Sequence, residues 1–281
     1  MSPAVDQYGV FGHPVSHSLS PFIHGVFARD TGQQMSYRAY DVAPEEFTER
    51  VQHFFGEGGR GLNITLPHKL IAVEVAQELT ARAAHAAAVN TLALQDDSNI
   101  LGDNTDGAGL VRDLCDNLGL IITQRRLLIL GAGGATRGLL APLLGLDPAI
   151  VVIANRTPER AEALAAAFTD LGVTQGMSFA YVGDTPFDVV INATSASLSG
   201  EIPPIPPGAI GPQTVCYDLA YGRSATAFVR WAQLQGCARA IQGLGMLVEQ
   251  AAESFRLWRG VRPSTTRVMD ALRERAGGAY A

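Results

Sequence analysis

Cysteine is scarce in this sequence: Cys115, Cys216 and Cys237 are odd in number, and their spacings match no metal motif. A disulfide framework is therefore excluded as the basis of the fold, and reduced thiols in a cytoplasmic protein are the expectation. No apolar run reaches the roughly 18 residues that a membrane span requires. The start, MSPAVDQYGVFGHP, has neither a basic leader nor a long apolar stretch, so no signal peptide is expected. Charge is also sparse, at 17% of residues, and its balance is acidic, with 21 Lys or Arg against 27 Asp or Glu for a net charge of −6. That balance excludes a nucleic-acid or anionic-membrane surface, which needs clustered cations, but leaves room for a small anionic ligand in a locally positive pocket. What the chain has is 47% hydrophobic residues over 281 positions. Since single domains usually span roughly 100 to 200 residues, two domains are predicted.

Strand-like runs alternate with helical patterns along the chain. QYGVFG precedes SPFIHGVFARDTG, MSYRAYDV precedes PEEFTERVQHFF, and GLNITL precedes PHKLIAVEVAQEL. This rhythm predicts βαβ units, a parallel sheet and an α/β fold. VNTLAL and ILGDNTDG interrupt it before a helix from about Gly107 to Leu118, which places a domain junction near residue 106. A second series begins at Arg125: RRLLIL, AIVVIA, FDVVINA and TVCYDLA are short apolar runs suited to strands covered on both faces, with SFAYV a weaker one. Thr157 and Pro158 supply a cap and first helical residue for PERAEALAAAFTDLG. The last two helices, MLVEQAAESFRLW and one near Thr265 to Ala276, have no following strand and are expected to pack back on the first domain. The division is thus 1–105 with 242–281, and 106–241.

GAGGATRG, Gly131 to Gly138, follows LLIL and opens a helix. Glycines there permit the tight turn and the close approach of a pyrophosphate to a helix N-terminus, which points to a dinucleotide held by Gly131, Ala132, Gly133, Gly134 and Ala135. The strict GxGxxG pattern fails at Thr136, and no Gly-Lys-Ser/Thr follows, so a Walker loop is excluded. An NAD site usually offers an acidic residue at the end of the second strand, whereas an NADP site offers arginine. Asn155, Arg156 and Thr157 stand there, with Arg160 one turn on, so NADP(H) is the expected cofactor.

In GLNITLPHKL, Gly61 to Leu70, an alternating strand ends at Pro67, and Lys69 follows. Pro67 suits the first turn of a helix, which would put Lys69 where the peptide dipoles disfavour a cation. His13 and His17 share a four-residue spacing, but Pro14 lies between them without a local carboxylate or cysteine, so no metal is expected.

Taken in order, HSLSP (17–21), NITLPHK (63–69), AVNT (88–91), GDNTDG (102–107), GAGGAT, NRTPER, NATS (192–195), YDLAY (217–221) and GLGMLVEQA (243–251) resemble the successive motifs of shikimate dehydrogenase, from about residue 8 to 260. The resemblance implies an amino-terminal substrate domain, a Rossmann-fold NADP-binding domain and a cleft between them. It implies reversible reduction of 3-dehydroshikimate with NADPH on the way to aromatic amino acids. By this resemblance Lys69 and Asp106 match the catalytic pair, and Ser18 and Ser20 match the serines that hold the substrate carboxylate. Asn63, Thr65, Asn90 and Gln250 match ring-hydroxyl binders, Tyr221 a tyrosine near substrate, and Gly243 with the backbone at Leu219 the nicotinamide contact. Departures are Leu19 for a common lysine, His68 for a common aromatic, and Gln242 for an aspartate. Rival readings are a quinate/shikimate dehydrogenase using NAD or both cofactors, another two-domain Rossmann dehydrogenase of the methylenetetrahydrofolate type, and a sensor that binds without turnover. A small-molecule partner is expected, with no nucleic acid and no membrane, in a monomer or a homodimer.

Overall fold

The computed structural model describes residues 5–194, 196–222 and 224–275, with the side chains of 197, 198, 273 and 275 left aside. Ser195 of NATS and Ala276 lie outside the described residues. Two compact units are formed, one by residues up to Gly109 with Val248–Asp270, the other by Leu110–Leu247 with the residues from Ala271.

In the first unit the chain runs β1 (Asp6–Gly12), α1 (Ser20–Asp30), β2 (Met35–Asp41), a 3-10 turn at Pro44–Glu46, α2 (Phe47–Gly56) and β3 (Gly59–Ile64). Short elements follow: α3 (Ala72–Val75), β4 (Glu78–Leu79), α4 (Ala81–Ala86), β5 (Thr91–Leu94), β6 (Ile100–Asp103) and the start of α5 (Asp106–Arg112). The strand order is β2-β1-β3-β5-β6-β4. β1, β2 and β3 are mutually parallel as predicted, but β5 enters antiparallel to both β3 and β6, so the sheet is mixed. One face buries Phe11, Leu62, Ile64 and Leu92 under Phe47, Val51 and Phe55 of α2, each such side chain stabilising by about 1.5–3 kcal/mol.

PHKLIAVEVAQEL is not the helix its pattern predicts; only Ala72–Val75 is helical. Tertiary pairing overrides the local preference. Gln77 N–H donates to Ile100 O at 2.9 Å, Ile100 N–H donates to Gln77 Oε1 at 2.7 Å, and Glu78–Leu79 become an edge strand along β6.

The second unit continues from α5 through a π-helical turn (Asp113–Asn117) to β7 (Arg126–Leu130), α6 (Gly134–Leu144), β8 (Ile150–Asn155), α7 (Pro158–Ala166) and β9 (Thr174–Ser178). After β10 (Val189–Asn192) and β11 (Val215–Asp218) come α8 (Ala227–Leu234), β12 (Arg239–Gln242), α9 (Leu244–Arg259) and α10 (Thr266–Arg275). All six strands are parallel, in the order β12-β11-β10-β7-β8-β9. Numbered within the unit and read from the β9 edge this is 3-2-1-4-5-6, the doubly wound dinucleotide-binding order. Leu127 and Ile129 pack under α6 and α7, while Leu128 and Leu130 face Phe179, Phe187 and Phe228, so both faces are covered.

The strand expected at SFAYV lies earlier, at TQGMS, and Phe179 turns inward in a 3-10 turn. Gly176 is needed within β9 because a Cβ there would strike the Ala161 backbone of α7. β12 was not expected; its sequence, RAIQ, carries too few apolar residues to announce an edge strand.

Candidate active site

β3 ends at Ile64, and the chain turns rather than entering a helix. His68 N–H donates to Thr65 O and Ala72 N–H to His68 O, both at 3.0 Å. The Lys69 carbonyl accepts from Val89 N–H at 2.8 Å, while Val73 N–H bonds Leu70 O instead. A carbonyl taken by another segment cannot propagate a helix from Pro67, so the expectation that Lys69 sits in a first helical turn is corrected. His68 anchors the turn: its ring is buried, stacks on Phe47 at 4.7 Å between centroids, and donates from Nε2 to Val42 O at 2.8 Å.

What faces the Lys69 ammonium is a carboxylate. Lys69 Nζ donates to Asp106 Oδ2 at 2.5 Å, with side chains only 15% and 6% exposed. Asp106 opens α5, as expected, and its other oxygen accepts from Asn90 Nδ2 at 2.8 Å. Asn90 also donates to Thr105 Oγ1 at 2.9 Å and Gln250 Oε1 at 3.3 Å, and its Oδ1 accepts from Thr105 N–H and Thr91 Oγ1 at 2.8 Å. Through Nδ2 it therefore also holds Asp106 in place. Asn63 accepts from Tyr37 OH at 2.7 Å and donates to Ser254 Oγ at 3.0 Å. Burial pushes the Tyr37 phenol well up, opposed by its hydrogen bond to Ser20. Ser20 N–H in turn donates to Ser18 Oγ at 3.2 Å, a helix-start bond with Leu19 at the cap position. Thr65, half-buried, follows β3 with its N–H on Phe11 O.

In the second unit, Gly131 takes φ +103°, open to glycine alone in practice, and a Cβ would press on Ala193 at 3.2 Å. Thr136 replaces the third glycine with a purpose: buried, it donates from Oγ1 to Gly131 O at 2.7 Å and fixes the turn. Gly133 caps α6, which starts at Gly134 and is followed by Ala135, so an 11-residue helix presents its first N–H groups behind a loop without side chains in the way. At the end of β8, Arg156, Thr157 and Arg160 are exposed and Asn155 donates from Nδ2 to Thr157 O at 2.9 Å. Thr157 occupies the cap position of α7 but its side chain makes no cap bond, a correction to its expected role. Backbone amides, a bare turn and exposed guanidinium surface fit a phosphorylated dinucleotide. Gly243, directly after β12, packs against the backbone that follows β11, where a Cβ would come 2.5 Å from Leu219 O, and Gln242 Oε1 accepts from Gly222 N–H, next to half-buried Tyr221. Among the described residues no group of three or more His, Cys, Asp or Glu could hold a metal, and no helix is long and apolar enough to cross a membrane.

Family models match three stretches: "Shikimate dehydrogenase substrate binding domain" over residues 10–92, "Shikimate / quinate 5-dehydrogenase" over 115–199, and "Shikimate 5'-dehydrogenase C-terminal domain" over 243–273. A shikimate dehydrogenase (NADP(+)) from Methylococcus capsulatus is 55% identical, covering 95% of this chain and 96% of its own. The chain belongs to the shikimate dehydrogenase family. Among solved structures it is similar to an Ael1 enzyme from Pseudomonas putida, with TM-score 0.89, 45% identity and 95% and 98% of the two chains covered. It is also similar to the shikimate 5-dehydrogenase of Thermus thermophilus in complex with NADP(H) and shikimate, with TM-score 0.83, 33% identity and coverage of 96% and 99%.

For a shikimate dehydrogenase, one signal in the composition went unread. Lys69 is the sole lysine; the other 20 of the 21 basic residues are arginines. Arginine stays protonated at any working pH, whereas a lysine can give up its proton. Thr91, Thr105, Ser254 and Tyr37 were also missed. The two threonines lie inside AVNT and GDNTDG, and Ser254 follows Gln250 by one helical turn, its Oγ bonding Gln250 O at 3.1 Å. Nothing local marks Tyr37.

Proposed function

We propose that the chain catalyses the reversible NADPH-dependent reduction of 3-dehydroshikimate to shikimate, a step toward aromatic amino acids, with Lys69 and Asp106 as its proton-handling pair. The observation that carries this reading is the contact of the sole lysine with a buried carboxylate that is itself held by Asn90. NADPH, when bound, supplies the hydride. As the substrate carbonyl carbon accepts it, the oxygen takes negative charge, and the Lys69 ammonium donates a proton there; in the reverse direction the neutral amine takes the hydroxyl proton back. A positioned general acid contributes about 10²–10⁴-fold. Asp106 orients Lys69 and balances its charge.

Ser18 and Ser20 take the substrate carboxylate, and Asn63, Thr65, Asn90, Gln250 and Tyr221 take its hydroxyls, with Asn90 also engaged in holding Asp106. The glycine turn from Gly131 to Ala135 takes the pyrophosphate, Asn155, Arg156, Thr157 and Arg160 the adenosine end with its 2′-phosphate, and Leu219 with Gly243 the nicotinamide. The assignment of 1–105 with 242–281 to substrate and 106–241 to cofactor belongs to the same reading, in a monomer or a homodimer. The absence of an acidic residue at 155–157 favours NADP over the quinate-using, NAD-using alternative. The test follows nicotinamide absorbance with 3-dehydroshikimate plus NADPH or NADH, and with quinate plus NADP in reverse. Turnover with NADPH and little with quinate is expected; binding without absorbance change overturns the reading in favour of a sensor.

A further inference from the structure

Asp113 is a buried carboxylate that the chemistry above does not use. It stands in the π-helical turn Asp113–Asn117, closed by Leu118 N–H on Asp113 O at 2.9 Å; π turns of this kind concentrate at functional sites. Its Oδ2 accepts from Tyr217 OH at 2.6 Å and its Oδ1 from Asn117 Nδ2 at 2.9 Å. Tyr217, on β11, is fully buried, and burial followed by the Asp113 charge pushes its phenol well above the ordinary range, so it remains a donor throughout the working pH range. The same hydroxyl accepts from Met246 N–H at 3.2 Å. Met246 is the third residue of α9, whose first N–H groups have no acceptor within the helix. Gly245 completes the arrangement, because a Cβ there would occupy the place of the Asp113 carboxylate. A negative charge against the first turn of a helix is favourable in its own right.

The turn begins at Gly243, which packs on the backbone of Leu219 and Ala220: Gly243 N–H donates to Ala220 O at 3.2 Å, and a Cβ on it would come 2.5 Å from Leu219 O. That surface is anchored by Asp218, which accepts from Asn192, Ala220 N–H and Thr226 Oγ1. We infer that Asp113 and Tyr217 are positioning residues that set the height of the Gly243–Met246 turn, and thereby the backbone surface assigned to the nicotinamide. The inference rests on the reading given under Proposed function. Neither side chain touches the reacting atoms. Tyr217 fixes the turn through Met246, and Asp113 fixes Tyr217.

The test compares Tyr217→Phe, Asp113→Asn and Asp113→Leu with the wild type by amide hydrogen exchange, NADPH fluorescence titration and steady-state kinetics. Tyr217→Phe should speed exchange at Met246 and its neighbours about ten-fold or more. It should lower kcat about ten-fold, while the KM for 3-dehydroshikimate stays within about two-fold. Asp113→Asn, which keeps an acceptor for the phenol, should retain more kcat than Asp113→Leu. Wild-type exchange at Met246 with unchanged kcat in Tyr217→Phe overturns the inference, as does a fall in melting temperature with kcat intact. Should Tyr217→Phe fail to fold, equal kcat in the two Asp113 variants overturns it instead. A wild type that does not oxidise NADPH with 3-dehydroshikimate contradicts the functional reading, and the Met246 exchange result then still reports on the lock itself.

Discussion

Replacing His24 by phenylalanine should flatten the response of stability to mild acid. His24 lies on α1 with no exposed surface, and among the described residues neither ring nitrogen has a hydrogen-bond partner. Its ring stacks on Tyr37 at 4.2 Å and 7° between planes, and the rings of Phe27, Phe255 and Trp258 complete the enclosure. Burial pushes its pKa down to about 3, opposed by the nearby Asn63 side chain. In the unfolded chain the same group titrates near 6.5, so below that pH the unfolded state binds a proton that the folded state refuses. The stabilisation is complete above about 6.5 and declines as pH falls toward 3, at about 1.4 kcal/mol per unit. Between about pH 6.5 and 4.5 this amounts to roughly 3 kcal/mol, a large share of a typical stability of about 5–15 kcal/mol. His68, which burial also holds low, is unchanged in the variant, so the difference between the two proteins isolates His24. Urea midpoints measured across this range should fall steeply for the wild type and by roughly 3 kcal/mol less for His24→Phe. Equal slopes in the two proteins would refute the reasoning.

Arg82→Met should destabilise by about 3–5 kcal/mol at neutral pH, because it leaves the buried Asp103 carboxylate without the guanidinium 2.5 Å away. Burial pushes Asp103 up, but Arg82, Thr80 and the Asn104 N–H together bring it below the ordinary range. The gap between the two proteins should therefore be full above the carboxylate range and close as pH falls through it, read from urea midpoints. Asn90→Ala removes the donor on Asp106 Oδ1 and the acceptor for Thr105 N–H, at about 1–3 kcal/mol for each group left unsatisfied. With 15N-labelled lysine the wild type gives one side-chain ammonium signal, and in Asn90→Ala it should broaden as Asp106 loses its orientation. Arg156→Gln combined with Arg160→Gln should weaken NADPH binding about ten-fold or more and leave NADH binding nearly unchanged, measured by fluorescence titration.

The dinucleotide-binding sheet was legible because its strands are covered on both faces: RLLIL, IVVIAN and VVIN are continuous apolar runs that no surface element would carry. β9 escaped because Gly176 reads as a loop residue until the Ala161 backbone is seen against it. α3 was overestimated for the converse reason, since its helical pattern yields to the Gln77–Ile100 pairing. Lys69 was singled out for a helix-dipole effect that the turn at Thr65–Ile71 does not provide. Its partner in the structure, Asp106, lies 37 positions away, and no local pattern connects the two. Separations of 26 and 163 positions likewise hide Tyr37 behind Asn63 and Ser254 behind Thr91.

Whether the single lysine of this chain delivers the proton is decided by truncating it. With 3-dehydroshikimate and NADPH followed at the nicotinamide absorbance, Lys69→Ala should lose about 10²–10⁴-fold in kcat while binding NADPH within about two-fold of the wild type. A Lys69→Ala protein that turns over at the wild-type rate would contradict the account.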